Sequence, residues 1–61
     1  MALFKEGTIV KMNNGWNQYR MILDIYDGGE VYGELYTLLD FSDGMIYENA
    51  TRTIDSSYVE V

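Results

Sequence analysis

Asp40, Phe41, Ser42, Asp43, Gly44 and the later Glu48 are the stretch whose oxygen-bearing side chains come closest to the spacing of a cation site. A helix-loop-helix calcium loop needs oxygen ligands at alternate positions, glycine at the sixth and a bidentate glutamate at the twelfth. Counted from Asp40, Gly44 is fifth and Glu48 ninth, so the spacing fails and an acidic hairpin turn accounts for the same residues. Asp27, Gly28 and Gly29 read the same way, because phosphate-cradling glycine patterns require other spacing and a following helix. The nucleophile candidates Ser42, Ser56 and Ser57 have no histidine to take a proton, as the chain contains none. Paired carboxylates could serve as acid and base only if one were held in a dry pocket, and 61 residues leave little room for such a cleft. The expectation is a protein that is not an enzyme and uses no cofactor and no metal.

What stands out instead is the distribution of charge. Nine of the ten carboxylates lie between Asp24 and Val61, where Arg52 is the only cation. That segment carries −8, while residues 1–23 carry +2 through Lys5, Lys11, Arg20 and Glu6, for a net charge of −6. A one-signed field of this kind repels nucleic acid and acidic membranes and attracts cationic surfaces. Direct nucleic-acid binding would need Lys5, Lys11 and Arg20 to share a face beside Trp16, against the repulsion of ten acids. No apolar run has the length of a membrane span or of a signal-peptide core, and no cysteine is present, which together place the expected location in the cytoplasm, away from membranes.

The elements that must position these residues are short strands separated by glycine and acidic turns. A first strand is predicted at Thr8 to Met12, followed by a turn at Asn13, Asn14 and Gly15 that extends through Trp16 and Asn17. A second strand from Tyr19 to Tyr26 alternates Tyr19, Met21, Leu23 and Ile25 with Arg20, Ile22, Asp24 and Tyr26, the first set being the expected core face. A third strand from Glu30 to Leu39 contains Gly33, which points to a bend that lets one strand serve two sheets. A turn at Asp40 to Gly44, a fourth strand at Met45 to Asn49, a tight helical turn at Ile54 to Ser57 and a fifth strand at Tyr58 to Val61 complete one domain. With neither disulfide nor the usual zinc ligands, packing must hold so small a fold. Its core candidates are aromatic: Phe4, Trp16, Tyr19, Tyr26, Tyr32, Tyr36, Phe41, Tyr47 and Tyr58.

The opening Phe4, Lys5, Glu6 and Gly7 before the first strand, and the ending Ser57, Tyr58, Val59 and Glu60 after a helical turn, resemble small SH3-like barrels of bacterial or phage type. The resemblance implies an all-β fold: a small five-stranded SH3-like barrel or a strongly bent antiparallel sheet, with a short 3-10 turn near the C-terminus. It does not carry proline-rich peptide binding with it. Peptide-binding SH3 domains resemble one another in a tryptophan pair before the fourth strand and a proline before the final tyrosine. This chain has one early tryptophan and no proline, so only Tyr58 matches.

Asp24, Asp27, Glu30, Tyr32, Glu34, Tyr36, Asp40, Asp43 and Glu48 are the expected partner-binding residues. Carboxylates beside exposed tyrosines suit an interface in which aromatics anchor and acids steer. Arranged along neighbouring strands, such acids would imitate a phosphate backbone. The expected partner is a basic protein, in the sharpest form a nucleic-acid-binding host enzyme that a phage or mobile-element inhibitor blocks by DNA mimicry. The alternatives are an SH3-like adaptor or a homo-oligomeric structural protein, and a bland one in which the acids only solubilise and the tyrosines pack a core.

Overall fold

A computed structural model describes residues 2–15 and 17–61, so expectations resting on Trp16 lie outside the described residues. Among the described residues, β1 (Ile9–Met12), β2 (Tyr19–Asp27), β3 (Glu34–Asp40), β4 (Ile46–Ala50) and β5 (Tyr58–Glu60) form a mostly β fold. Two helical segments accompany them, α1 (Gly29–Tyr32) and α2 (Thr51–Ser57). All strands belong to one antiparallel sheet in the order β4-β3-β2-β1-β5. The sheet is open, with β4 and β5 at its two edges.

β2 decides which side chains face inward, and it does so differently from its alternating pattern. Ile22 pairs with Leu38 and Ile25 with Tyr36, yet between them two residues of β2, Leu23 and Asp24, oppose the single Thr37 of β3. This is a β-bulge, and the extra residue shifts the alternation by one. Ile22 before it and Ile25 after it therefore both reach the core, while Leu23 is left 38% exposed. The expected core face of Tyr19, Met21, Leu23 and Ile25 is corrected accordingly: Ile22 from the opposite set is the fully buried residue of this strand.

The core sits on the inner face and joins Val10, Ile22, Tyr36, Leu38 and Tyr58 of the sheet to Phe4 and to Ile54 of α2. Thr51 and Ile54, three residues apart, form the inward side of α2. This helix is longer than the single turn expected at Ile54 to Ser57. Of the aromatic core candidates among the described residues, only Phe4, Tyr36 and Tyr58 are buried, whereas Tyr32, Phe41 and Tyr47 are exposed.

The third strand also begins later than expected, at Glu34, because Gly29–Tyr32 turns as α1. Gly33 leaves that turn at φ 66° and ψ −150°, a conformation essentially confined to glycine. The bend thus falls before the strand, and the irregularity within the sheet falls at Leu23. Gly28 is needed for a different reason. A Cβ there would lie 2.6 Å from Leu35 Cδ1 and 2.8 Å from the Gly33 carbonyl oxygen, which accepts a hydrogen bond from the Gly28 N–H.

Side chains, rather than a closing ladder, span the space between the two edges. The Arg20 guanidinium lies 4.5 Å from the ring centre of Tyr47 on β4 and 5.8 Å from that of Tyr58 on β5. A single cation–π site thereby links the two edge strands.

Candidate functional site

The nine residues expected at a partner surface divide into an inner and an outer group. Tyr36 and Asp40, with Leu38 between them, form the buried side of β3. The Tyr36 hydroxyl donates to Asp55 Oδ1 at 2.6 Å and accepts from the Phe4 N–H at 3.0 Å. Burial and the Asp55 hydrogen bond push its pKa up to about 12. Asp40, 1% exposed, accepts hydrogen bonds from Gln18 Nε2 at 3.1 Å, Arg20 Nε at 2.9 Å and the Ser42 N–H at 2.8 Å, as well as from the Ser42 hydroxyl. The Ser42 hydroxyl above all holds this carboxyl well below the usual carboxylate range, against the opposing effect of burial. Neither residue is available to a partner: Tyr36 is core, and Asp40 neutralises Arg20 inside the fold. The same pairing directs the Arg20 guanidinium toward Asp40.

Glu34 is half-buried and accepts from Thr51 Oγ1 of α2 at 3.3 Å. Asp43 is exposed but belongs to the turn after β3, where its Oδ1 accepts from the Met45 N–H at 2.8 Å and its Oδ2 from the Tyr47 hydroxyl. These two stand apart from the others. Tyr47 lies on the inward side of β4, opposite Leu38.

The remaining acids do gather. Asp24 pairs with Thr37, and Thr37 with Glu48, so these three form one row across β2, β3 and β4. Directly opposed residues share a face, and this face is the outer one, since Leu38 and Tyr36 on either side of Thr37 point inward. The next outer row is Tyr26, Leu35 and Ala50. Tyr26 donates its hydroxyl to Glu48 Oε2, and this bond to a carboxylate raises the phenol's pKa. Beyond lies a shallow cleft of about 420 Å³ lined by Tyr26, Gly28, Tyr32, Leu35 and Glu48. Tyr32 is 64% exposed at its rim. Asp27 ends β2, with Oδ1 accepting from the Gly29 N–H at 2.9 Å, and Glu30 follows in α1; both are exposed. A carboxylate held by a phenol, a second ring and further acids nearby form a setting for an organic cation or a basic side chain.

No protein-family model matches the chain, and neither a curated protein nor a solved structure shows significant similarity to it. Among the described residues no group of histidine, cysteine or carboxylate side chains is arranged to hold a metal ion. No helix among them is long and apolar enough to cross a membrane.

Tyr26 and Leu35 are the site residues that the pattern of acids and tyrosines did not single out. The signal for Tyr26 was present, since it alternates with Asp24 on one strand. Its partnership with Glu48 required the register of three strands, the two residues being 22 positions apart in sequence.

Proposed function

We propose that this protein is a non-enzymatic binding module that presents an acidic, tyrosine-bearing outer sheet face to a basic protein. The observation that carries this reading is the Asp24, Thr37, Glu48 row, continued through Tyr26 into the Tyr32 cleft with Asp27 and Glu30 close in sequence. Five of the nine expected acids and tyrosines beside Tyr26 are thus exposed at one end of β2 and β3: Asp24, Asp27, Glu30, Tyr32 and Glu48. Carboxylates so placed steer a cationic partner, and rings beside them supply contact area at low entropic cost. A phage or mobile-element inhibitor of a nucleic-acid-binding host enzyme is the sharpest form of this reading, because such enzymes carry the basic surfaces that this field attracts. The sheet order β4-β3-β2-β1-β5, with a helix before the last strand, supports an SH3-like domain as the scaffold.

The test is affinity capture from a nuclease-treated host lysate with the native protein and with a D24K/E48K double variant. A basic protein retained by the first, released by added salt and lost in the second supports the proposal. Equal retention by both would sink it. The unpaired outer edges of β4 and β5 favour a second reading, a structural protein that pairs with copies of itself. Sedimentation separates the two, since self-pairing yields an oligomer without any partner.

A further inference from the structure

Beside the acidic row runs a second row made only of apolar side chains. Ile9 of β1 opposes Met21 of β2, Met21 opposes Leu39 of β3, and Leu39 opposes Ile46 of β4. The Val61 N–H donates to the Ile9 carbonyl at 3.0 Å, which carries the row past β5. All belong to the outer face, because their strand neighbours Val10, Ile22 and Leu38 fill the core. Ile9 is 37% exposed, Ile46 58% and Val61 69%, with Met21 and Leu39 half-buried between them. A row of apolar side chains with solvent-open ends beside charge of one sign offers contact area to a partner.

The neighbouring charge says what kind of contact. Thr37 is two residues from Leu39 on β3, so the acidic row of Asp24 and Glu48 runs parallel to the apolar band about 7 Å away. An apolar ridge flanked by a line of cations is the complementary surface, and an amphipathic helix with Lys or Arg beside its apolar stripe has that form. The lengths agree as well. Five strands spaced about 4.8 Å apart give a band of about 19 Å, which a helix of about 13 residues covers at 1.5 Å per residue. A second copy of this chain fits less well. It would bring its own charge of −6.

We infer that the Ile9, Met21, Leu39 and Ile46 band, with Asp24 and Glu48 alongside, is a docking site for a cationic amphipathic helix of a partner protein. This rests on the reading of the acidic face as a surface for a basic protein, and adds the apolar anchor that gives the contact its strength. Charge alone attracts many basic proteins; the band selects those that present an apolar ridge next to their cations.

The experiment is an NMR titration of the isotope-labelled protein with three 18-residue synthetic peptides: a Leu/Lys amphipathic helix, a Ser/Lys peptide of equal charge, and a Leu/Glu helix of opposite charge. The expected result is that only the Leu/Lys helix binds, with shifts centred on the methyl groups of Ile9, Met21, Leu39 and Ile46. I46T and I9T should each weaken it by about tenfold, the loss of one buried aliphatic contact. Their thermal midpoints confirm folding, and either variant serves if the other fails to fold. Equal binding of the Ser/Lys peptide overturns the docking site while leaving the charge-based reading standing. Binding of neither cationic peptide overturns both, and so do shifts confined to another face. Sedimentation of the free protein as a dimer with the band protected overturns the choice of occupant in favour of a second copy.

Discussion

Asp40 and Tyr36 each place a titratable group where the fold depends on one protonation state. Asp40 has a depressed native pKa, so its contribution to stability is present above its ordinary value of 3.8 and is lost as pH falls below it. D40N leaves the half-buried Arg20 beside two rings without its counter-charge, and a loss of about 3 kcal/mol is expected from urea denaturation at pH 7. The acid limb of the stability curve should be shallower in the variant. Tyr36 behaves in the opposite sense. With a native pKa of about 12 against an ordinary 10.0, it stabilises fully below pH 10, and that contribution fades as pH rises toward 12. Y36F strands the Phe4 N–H and one oxygen of Asp55, with an expected loss of about 1–2 kcal/mol at neutral pH. Chemical denaturation between pH 10 and 12 should show a weaker decline in Y36F than in the native protein. Neither role was legible in sequence, where Tyr36 alternates with Tyr32 and Glu34 as a surface residue would. Period-two spacing groups residues by face, but it does not say which face is covered.

The bulge in β2 is the element on which the arrangement of both faces turns. Deleting the exposed Leu23 removes the extra residue and leaves Ile22 opposite Leu38 and Ile25 opposite Tyr36 in strict alternation, so cooperative unfolding in thermal circular dichroism is expected to persist, whereas inserting a residue between Asp24 and Ile25 should turn Ile25 away from the core and abolish it. L23T retains the bulge, and its midpoint should correspond to a change within about 0.5 kcal/mol. Glycines were legible here as punctuation and less so as cause. G33A is expected to cost about 1–3 kcal/mol through backbone strain. G28A is expected to cost a similar amount, about 1–3 kcal/mol, by crowding Leu35 and the Gly33 carbonyl. Strand existence and the turn at Asp40 to Gly44 followed from composition, since β-branched and aromatic runs between Asn, Asp and Gly have few other uses. The α1 turn did not, because Val31 and Tyr32 favour strands locally and it is the short link between β2 and β3 that bends them.

At the scale of the molecule, a net charge of −6 opposes association of copies through the sheet edges or the apolar outer band. The net charge vanishes near pH 4.1, where light scattering should show association that is reversible on neutralisation. I46T should lessen it, as the substitution interrupts the band at its exposed end. If association at pH 4 is unchanged in I46T, the edge strands are responsible instead. The polarity of charge, the mostly β fold and the placement of Asp24 and Tyr26 on one face of one strand are consequences of composition and local spacing. Those properties depend on residue types and on neighbours close in the chain. Which carboxylates meet solvent was decided only by tertiary structure. Asp40 lies inside with Arg20 and Asp24 lies outside with Glu48, because one extra residue in β2 and the register across three strands set the inward side, and such pairings join residues far apart in the sequence.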